Sequence, residues 1–190
     1  NIMEGKSYLE EQKEVPTHFS IANAGLCLFS PWFPQLFSMV GYLTEERRTF
    51  KDTASQIRAV FLLQYLACLE EKEYRETDLV FNRLLVALPM HIPLPKQIEL
   101  TQREKDVIES LQKAIRVNWA QMRDTSALGF LKSFVLRNGR LEQQEEKWQL
   151  TVEERGIDVL LDTVPWSFKL IRFPWLEKRI QVVWHEKQQF

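Results

Sequence analysis

The sequence predicts an α+β fold that is mainly helical: a compact bundle of about five helices, followed by a small antiparallel β-sheet with a short helix. Apolar residues recur at helical spacing in the first two-thirds of the chain and alternate at strand spacing after about residue 139. Strands and helices do not alternate along the chain, which argues against a Rossmann-type parallel sheet. A proline–tryptophan dipeptide occurs three times, at Pro31-Trp32, Pro165-Trp166 and Pro174-Trp175. Each predicts a rigid corner, because proline fixes φ and tryptophan buries a large ring.

The composition indicates one domain preceded by an arm. The chain has 190 residues, of which 45% are hydrophobic and 27% are charged, so it is long enough to bury a core of its own. We expect a polar lead-in or linker over 1–20 and a single compact domain over 21–186. This domain divides into a helical part, 21–138, and a β-rich part, 139–186. Because the chain begins with Asn1, we expect it to be a fragment, or the ordered part, of a longer protein.

Local signals place the first three helices. Ser30-Pro31 has the chemistry of a helix N-cap and first turn, which predicts a helix that ends at Gly41. Asp52 or Thr53 begins a second helix, whose all-round apolar character places it at the centre of the core. A third helix is expected over Leu79–Leu88, before Pro89.

The next two helices have clear start or stop signals. Thr101 and Glu104 have the spacing of a capping box, and the apolar residues that follow recur at helical spacing. This pattern predicts the clearest helix in the protein. A fifth helix is expected from about Ser126 to Arg137, with Asn138-Gly139 as its stop signal.

The period changes in the last part of the chain. Alternation over Lys147–Glu153 predicts a half-buried strand, with Leu141–Gln144 as its hairpin partner. Gly156–Asp162 is predicted to form a short helix. Alternation returns at Trp166, Phe168 and Leu170, and again at Ile180, Val182 and Trp184.

Charge, cysteine content and hydropathy exclude several classes of protein. The formal net charge of −1 argues against a dedicated nucleic-acid binder. Cys27 and Cys68 are too few and too far apart for a disulfide framework or a zinc site, which favours synthesis in a reducing cytoplasm. The longest apolar run, Ala59–Leu69, is about half of the roughly 20 residues that a membrane span needs. We therefore expect neither a nucleic-acid partner nor a membrane span.

The sequence contains no recognisable catalytic constellation. The three histidines lie far apart, and no GxSxG, GxGxxG or P-loop motif is present. Asp158 and Asp162 lie four residues apart near Arg155, a spacing at which two acids could share a proton or bind a cation. A solvated helix face is the stronger interpretation of this pair. We therefore predict that the chain is not an enzyme, with no catalytic residue, metal site or cofactor.

Five aromatic residues have two possible roles, as core residues or as a surface that docks a partner. They are Trp32, Phe33, Trp166, Phe173 and Trp175. The segment over 30–34 cannot bury every ring within one helical turn, and the same holds for the segment around Pro174. Core packing is favoured and partner docking is the second interpretation.

The order of nine sequence blocks is more specific than any one of them. The blocks are Asn23-Ala-Gly-Leu26, Ser30-Pro-Trp-Phe-Pro-Gln-Leu-Phe37, Arg58-Ala-Val-Phe-Leu-Leu-Gln-Tyr-Leu66, Leu79-Val-Phe-Asn-Arg-Leu-Leu85, Asn118-Trp119, Thr125-Ser126, Phe134-Val-Leu-Arg-Asn-Gly-Arg-Leu141, Asp158-Val-Leu-Leu-Asp162 and Pro165-Trp-Ser-Phe-Lys-Leu-Ile-Arg-Phe-Pro-Trp175. Together they resemble the tape measure protein family of contractile injection systems, which are phage-tail-like particles made by bacteria. The resemblance covers about 20–186, whereas Asn1 to Thr17 shows no block of the family.

The resemblance implies a role in assembly. Tape measure proteins are thought to lie in the lumen of the inner tube and to set its length during polymerisation. It implies that this compact chain anchors at one end of the tube, and that the ruler lies in an inferred upstream region. The implied partners are other particle proteins, namely the inner tube and the spike hub or a tube-terminal cap, with several copies of this chain present. The chain would be made in the bacterial cytoplasm and assembled into a particle that can be released from the cell.

Other functions stay open from the sequence. One alternative is a cap, adaptor or accessory protein of the same particle, without a ruler function. A cargo toxin or hydrolase is less favoured, because Asp158 and Asp162 are its only support. A helix-turn-helix regulator is disfavoured by the balance of charge.

Overall fold

Five strands of the described chain form one mixed β-sheet. The structure is a computed structural model that describes residues 17–186. The strands are β1 (His18–Ile21), β2 (Gly139–Gln143), β3 (Lys147–Val152), β4 (Leu170–Ile171) and β5 (Arg179–Val183). Their order across the sheet is β1-β2-β3-β5-β4. The pair β3–β5 is parallel and the other three pairs are antiparallel. The predicted α+β class is confirmed, but the prediction of an antiparallel sheet is wrong.

The parallel pair follows from the connection between its two strands. After β3 the chain passes through a 3₁₀ helix, Gly156–Thr163, and then through β4 before it enters β5 beside β3. Parallel neighbours need such a long crossover, whereas a short hairpin would have produced an antiparallel pair. The alternation of apolar residues fixes which face of β5 meets the core, but it carries no information about strand direction.

The first strand comes from the N-terminal side of the helices. β1 pairs with β2, and Phe19 lies opposite Leu141. The sheet therefore begins inside the segment 1–20 that the sequence predicts as a lead-in, and the part of that segment over 1–16 lies outside the described residues. Because the chain forms most of its helices between β1 and β2, the predicted order of a helical bundle followed by a sheet is not observed.

Two of the predicted helices are confirmed in position and in capping. The α-helices of the described chain are α1 (Phe33–Met39), α2 (Thr53–Cys68), α3 (Val80–Leu85), α4 (Gln102–Asn118) and α5 (Ala127–Phe130). Helix α2 begins after Asp52, whose carboxylate accepts a hydrogen bond of 2.7 Å from the Ser55 N–H. At α4 the capping box of Thr101 and Glu104 is formed in both directions.

The predicted short helix Gly156–Asp162 is formed as the 3₁₀ helix Gly156–Thr163, whereas the other three predicted helices are shorter than predicted. Ser30 and Pro31 lie inside a 3₁₀ helix, Ala24–Trp32, and α1 begins only at Phe33. Two prolines in this segment, at 31 and 34, lack the N–H groups that a continuous α-helix would use. Helix α3 ends early, and Ala87 adopts a left-handed φ of 56°. The predicted fifth helix is α-helical only over α5 and continues as a π-turn, Leu131–Val135.

The 3₁₀ helix Ala24–Trp32 joins the helices to the sheet through the core. Its residues Ala24 to Ser30 are all buried, and it contacts β3 and β4. A Cβ atom on Gly25 would lie 1.8 Å from the Phe134 carbonyl oxygen, so glycine is required by this close approach of two backbones. Helix α2 is buried from Ala59 to Ala67, as its apolar sequence predicts.

Candidate docking surface

The five predicted aromatic residues fall into two clusters. In the first cluster, the rings of Trp32 and Trp166 meet edge to face at a centroid distance of 4.8 Å. Trp166 in turn meets Trp119 edge to face at 6.4 Å. Trp32 and Trp166 are partly exposed, whereas Trp119 is fully buried. This cluster therefore runs from the core to the surface.

The second cluster surrounds Trp175. Its ring stacks on Phe173 at 4.9 Å and meets Phe50 edge to face at 5.2 Å. Phe33 joins the cluster through Phe173 at 6.1 Å. Phe33 is 0% exposed and Phe173 is 8% exposed, so both belong to the core, as the favoured interpretation of the sequence proposes. Trp175 remains partly exposed.

Two of the tryptophans use their indole N–H groups to join distant parts of the chain. Trp166 Nε1 donates to the carbonyl oxygen of Leu28 at 2.9 Å, and Trp175 Nε1 donates to that of Leu85 at 2.9 Å. These partners lie 138 and 90 residues away along the sequence. The proline before each tryptophan restricts the backbone from which the ring projects. The rings therefore fix corners, as predicted for the proline–tryptophan dipeptides.

An open apolar groove lies between α1 and α4 next to the first cluster. Its volume is about 710 Å³. On the α1 side the groove is lined by Trp32, the last residue of the 3₁₀ helix, and by Leu36 and Met39 of α1, and Met39 is 51% exposed. On α4 it is lined by Val107 and Leu111. We call these five residues and the space between them the α1–α4 groove.

The α4 wall of the α1–α4 groove was missed as a surface in the sequence. Val107, Ile108, Leu111 and Ile115 all belong to the apolar residues that recur at helical spacing after Thr101, and this spacing does not separate core from surface. The structure buries Ile108 and Ile115 completely but leaves Val107 and Leu111 partly exposed. The sequence signal for this exposed wall is the width of the apolar stripe on α4. Adjacent apolar residues at 107 and 108 make the stripe wider than the face of the helix that packs on the core.

Polar groups close one end of the α1–α4 groove. Arg103 Nη2 donates to the Met39 carbonyl oxygen at 3.1 Å, which satisfies a group at the C-terminal end of α1. Gln102 donates to Asp106 at 2.9 Å along the same helix. The groove thus has an apolar floor and a polar rim, the usual anatomy of a protein interface.

Asp158, the acid that supports the hydrolase alternative, has a structural role. It is fully buried and forms an ion pair with Arg137, which is also fully buried. Its Oδ2 atom accepts further hydrogen bonds of 3.1 Å from Trp184 Nε1 and 2.9 Å from the Arg155 N–H. Burial raises the pKa of Asp158, but the hydrogen bonds, led by that from Arg137, lower it by more, and the net direction is downward.

Asp162 does not share this environment. Its side chain is exposed, and its Oδ2 atom lies 3.5 Å from His185 Nε2 at the surface. The two acids therefore have different partners. Among residues 17–186, no group of three histidine, cysteine or acidic side chains is arranged to hold a metal ion. Within that same range, none of the helices has the length and apolar character needed to cross a bilayer.

An α+β module with aromatic corners and an apolar helix groove has the features of a structural protein that binds other proteins. The family model described as contractile injection system tape measure protein matches residues 3–184, so this chain belongs to that family. The match confirms the resemblance of the sequence blocks and extends it to residue 3, into the segment where no block was found. No curated protein and no solved structure matches the chain.

Proposed function

We propose that this chain anchors a tape-measure-type protein at one end of the inner tube and takes part in tube assembly and length determination. Family membership supports a structural role in the particle. An extended helical ruler advances about 1.5 Å per residue. The longest helix described here, α4, has 17 residues and would span only about 25 Å, so this part of the protein suits an anchor better than a ruler.

The α1–α4 groove is the observation that carries this proposal. Trp32 and, on α1, Leu36 and Met39 form one apolar wall, and α4 supplies the facing wall. We infer that the occupant is a helix of another particle protein, from the inner tube, the spike hub or a terminal cap. That helix would carry apolar residues at positions i, i+3, i+4 and i+7, with polar residues where it meets Arg103 and Asp106.

The predicted docking residues contribute to this surface in different ways. Trp32 lines the groove, so in the proposed complex its ring contacts the partner directly. Trp166 supports the Trp32 ring from behind, while Phe33, Phe173 and Trp175 hold α1 against the rest of the core. Several copies of the chain at one tube end would bring several such grooves to the same ring of partners.

Electron microscopy of particles that carry Met39→Glu tests the groove. A carboxylate at this position would have to be desolvated when a partner helix docks, so we expect few tubes or tubes of uncontrolled length. Leu128→Glu is the matched control, because Leu128 is 53% exposed and does not line this groove. Circular dichroism establishes that both variants are folded. Normal particles from a folded Met39→Glu variant would reject the groove as the docking site.

Deletion of residues 17–186 from the gene tests the anchoring role itself. Missing tubes would indicate initiation of assembly, and tubes of variable length would indicate length control. Normal particles of normal length would reject anchoring and favour an accessory role. A terminal cap or adaptor without a ruler function is the second candidate, since the compact fold and the groove suit it equally well. It predicts abnormal tube ends at normal tube length.

A further inference from the structure

A second apolar groove lies between the sheet and α3. Phe19 of β1, Leu141 of β2 and Trp148 of β3 line it from the sheet. Leu84 of α3 and Met90, which follows that helix, line the opposite side. The volume is about 390 Å³, and Met90 is 53% exposed. We call these five residues and the space between them the sheet–α3 groove. The α1–α4 groove shares no lining residue with it.

The character of the sheet–α3 groove favours an apolar occupant. The rings of Phe19 and Trp148 pack against each other with 6.2 Å between their centroids, and both residues are partly exposed. The charged residues of the lining do not favour either sign of charge. Glu177 and Lys178 carry opposite charges, and the side chain of Arg83 is buried. Apolar contact, and not charge, therefore determines what this groove binds.

The described chain begins beside the sheet–α3 groove. The Thr17 carbonyl oxygen accepts a hydrogen bond of 2.7 Å from the N–H of Gln143, a residue that also lines the groove. Strand β2 ends just beyond this point, in a turn where the Gln144 N–H donates to the Lys147 carbonyl oxygen at 2.9 Å. The ladder between β1 and β2 therefore ends at Thr17. The segment 1–16, which lies outside the described residues, is joined to the domain at the edge of the groove.

The segment 1–16 contains an apolar pair of suitable size, Tyr8 and Leu9. The family model matches the chain from residue 3 onwards, so it includes most of this segment. The two side chains together have about a dozen non-hydrogen atoms, which the groove can hold at roughly 30 Å³ each, the share of one water molecule in the liquid. The stretch from Tyr8 to Thr17 reaches up to about 30 Å when extended at about 3.3 Å per residue, so both side chains can enter the groove.

We propose that Tyr8 and Leu9 of the same chain occupy the sheet–α3 groove, so that the segment 1–16 forms a strap across Met90 and Trp148. A short tether gives the segment an effective concentration in the millimolar range, so a contact with a Kd of about 1 mM is enough to fill the groove for most of the time. The strap would cover an apolar surface that is otherwise exposed to water, and it would leave the α1–α4 groove open to a partner.

Oxidation of methionine by hydrogen peroxide tests the strap in the isolated full chain. Met39 and Met90 have nearly equal exposed fractions, 51% and 53%, so they should react at similar rates if both grooves are open. With the strap in place, we expect Met90 to oxidise at least about threefold more slowly than Met39, as measured by mass spectrometry of the digested protein. Equal rates for the two methionines would overturn the proposal.

A double variant, Tyr8→Asp with Leu9→Asp, tests whether these two side chains protect Met90. Carboxylates are costly to bury in an apolar groove, so Met90 should now oxidise as fast as Met39. Ser7→Asp with Gln12→Asp is the matched control, because it adds the same charge at polar positions and should keep the protection. Protection that persists in the first variant, or is lost in the control, would reject the assignment. Protection that falls on about tenfold dilution would indicate a segment from a second copy and overturn the intramolecular strap.

Discussion

Replacing Asp158 with asparagine preserves the shape of the side chain but removes the charge that compensates Arg137. Both residues are fully buried, and within residues 17–186 the Arg137 guanidinium otherwise donates only to the backbone carbonyl oxygens of Ser133 and Glu153. In the variant, the guanidinium stays charged inside the core, and the amide N–H₂ of asparagine must face either Arg137 or the donors that now bond Oδ2. Removing one partner of a buried ion pair costs about 3–5 kcal/mol.

Urea unfolding followed by far-UV circular dichroism measures this loss. With a urea dependence of roughly 2 kcal/mol per M, a loss of 3–5 kcal/mol lowers the midpoint by about 1.5–2.5 M. Asp162→Asn is the matched control, because the same chemical change falls on an exposed acid four residues away. We expect the control to change the free energy of unfolding by no more than about 0.5 kcal/mol.

The reasoning fails if Asp158→Asn unfolds within about 0.5 M of the wild-type midpoint, or if the two asparagine variants are equally destabilised. A double variant sharpens the test. Adding Arg137→Met to Asp158→Asn removes the uncompensated charge, so the double variant should be more stable than Asp158→Asn alone. If the double variant instead loses the sum of the free energies of unfolding that the two single variants lose, packing and not charge determines the effect.

The remaining predictions concern pH and one glycine. Burial raises the pKa of Glu104, but hydrogen bonds, first that from Arg58, lower it overall from 4.5 to about 2. The stability from this lowered pKa is complete above pH 4.5 and is lost as the pH falls towards 2, so Glu104→Gln should flatten acid unfolding in that range. An unchanged acid transition in the variant would contradict this. Gly25→Ala should cost several kcal/mol, because its Cβ would overlap the Phe134 carbonyl, whereas Gly156→Ala meets open space and should be neutral or stabilising in thermal unfolding. Equal melting temperatures for the two alanine variants would contradict the close approach at Gly25.

The predictable parts of the fold are those whose sequence signals lie within a few residues of one another. Asp52 and the pair Thr101 and Glu104 mark the starts of α2 and α4, because capping depends on residues three positions apart. The strands β2 and β3 were close to prediction for the same reason, since a hairpin joins neighbours. The short tight helices were not predictable from apolar spacing, because Pro31 and Pro34 change which backbone bonds can form.

The parts that were not predictable depend on long-range pairing. Nothing near β5 in sequence shows that it pairs with β3 in parallel, or that β1 completes the far side of the sheet. The same limit applies to the candidate site. The sequence spacing pairs Asp158 with Asp162, whereas the partner of Asp158 in the structure is Arg137, 21 residues away. The exposure of Val107 in the α1–α4 groove also depends on which elements pack beside α4. The sequence of α4 alone does not show which elements these are.

The sequence blocks that carry the family resemblance supply partners to one another. The Asn23 amide donates to Gln64 at 3.0 Å and to Asn82 at 2.7 Å, which joins three blocks in one buried polar network. Arg137 and Asp158 join two further blocks. Each side chain would be costly to bury without its partner, so the blocks specify the fold as a set. The α1–α4 groove meets these blocks only at Trp32 and Leu36, while Met39 and the α4 wall lie outside them. Under the proposed docking, a change of partner along the α4 wall would leave the buried contacts that define the fold undisturbed.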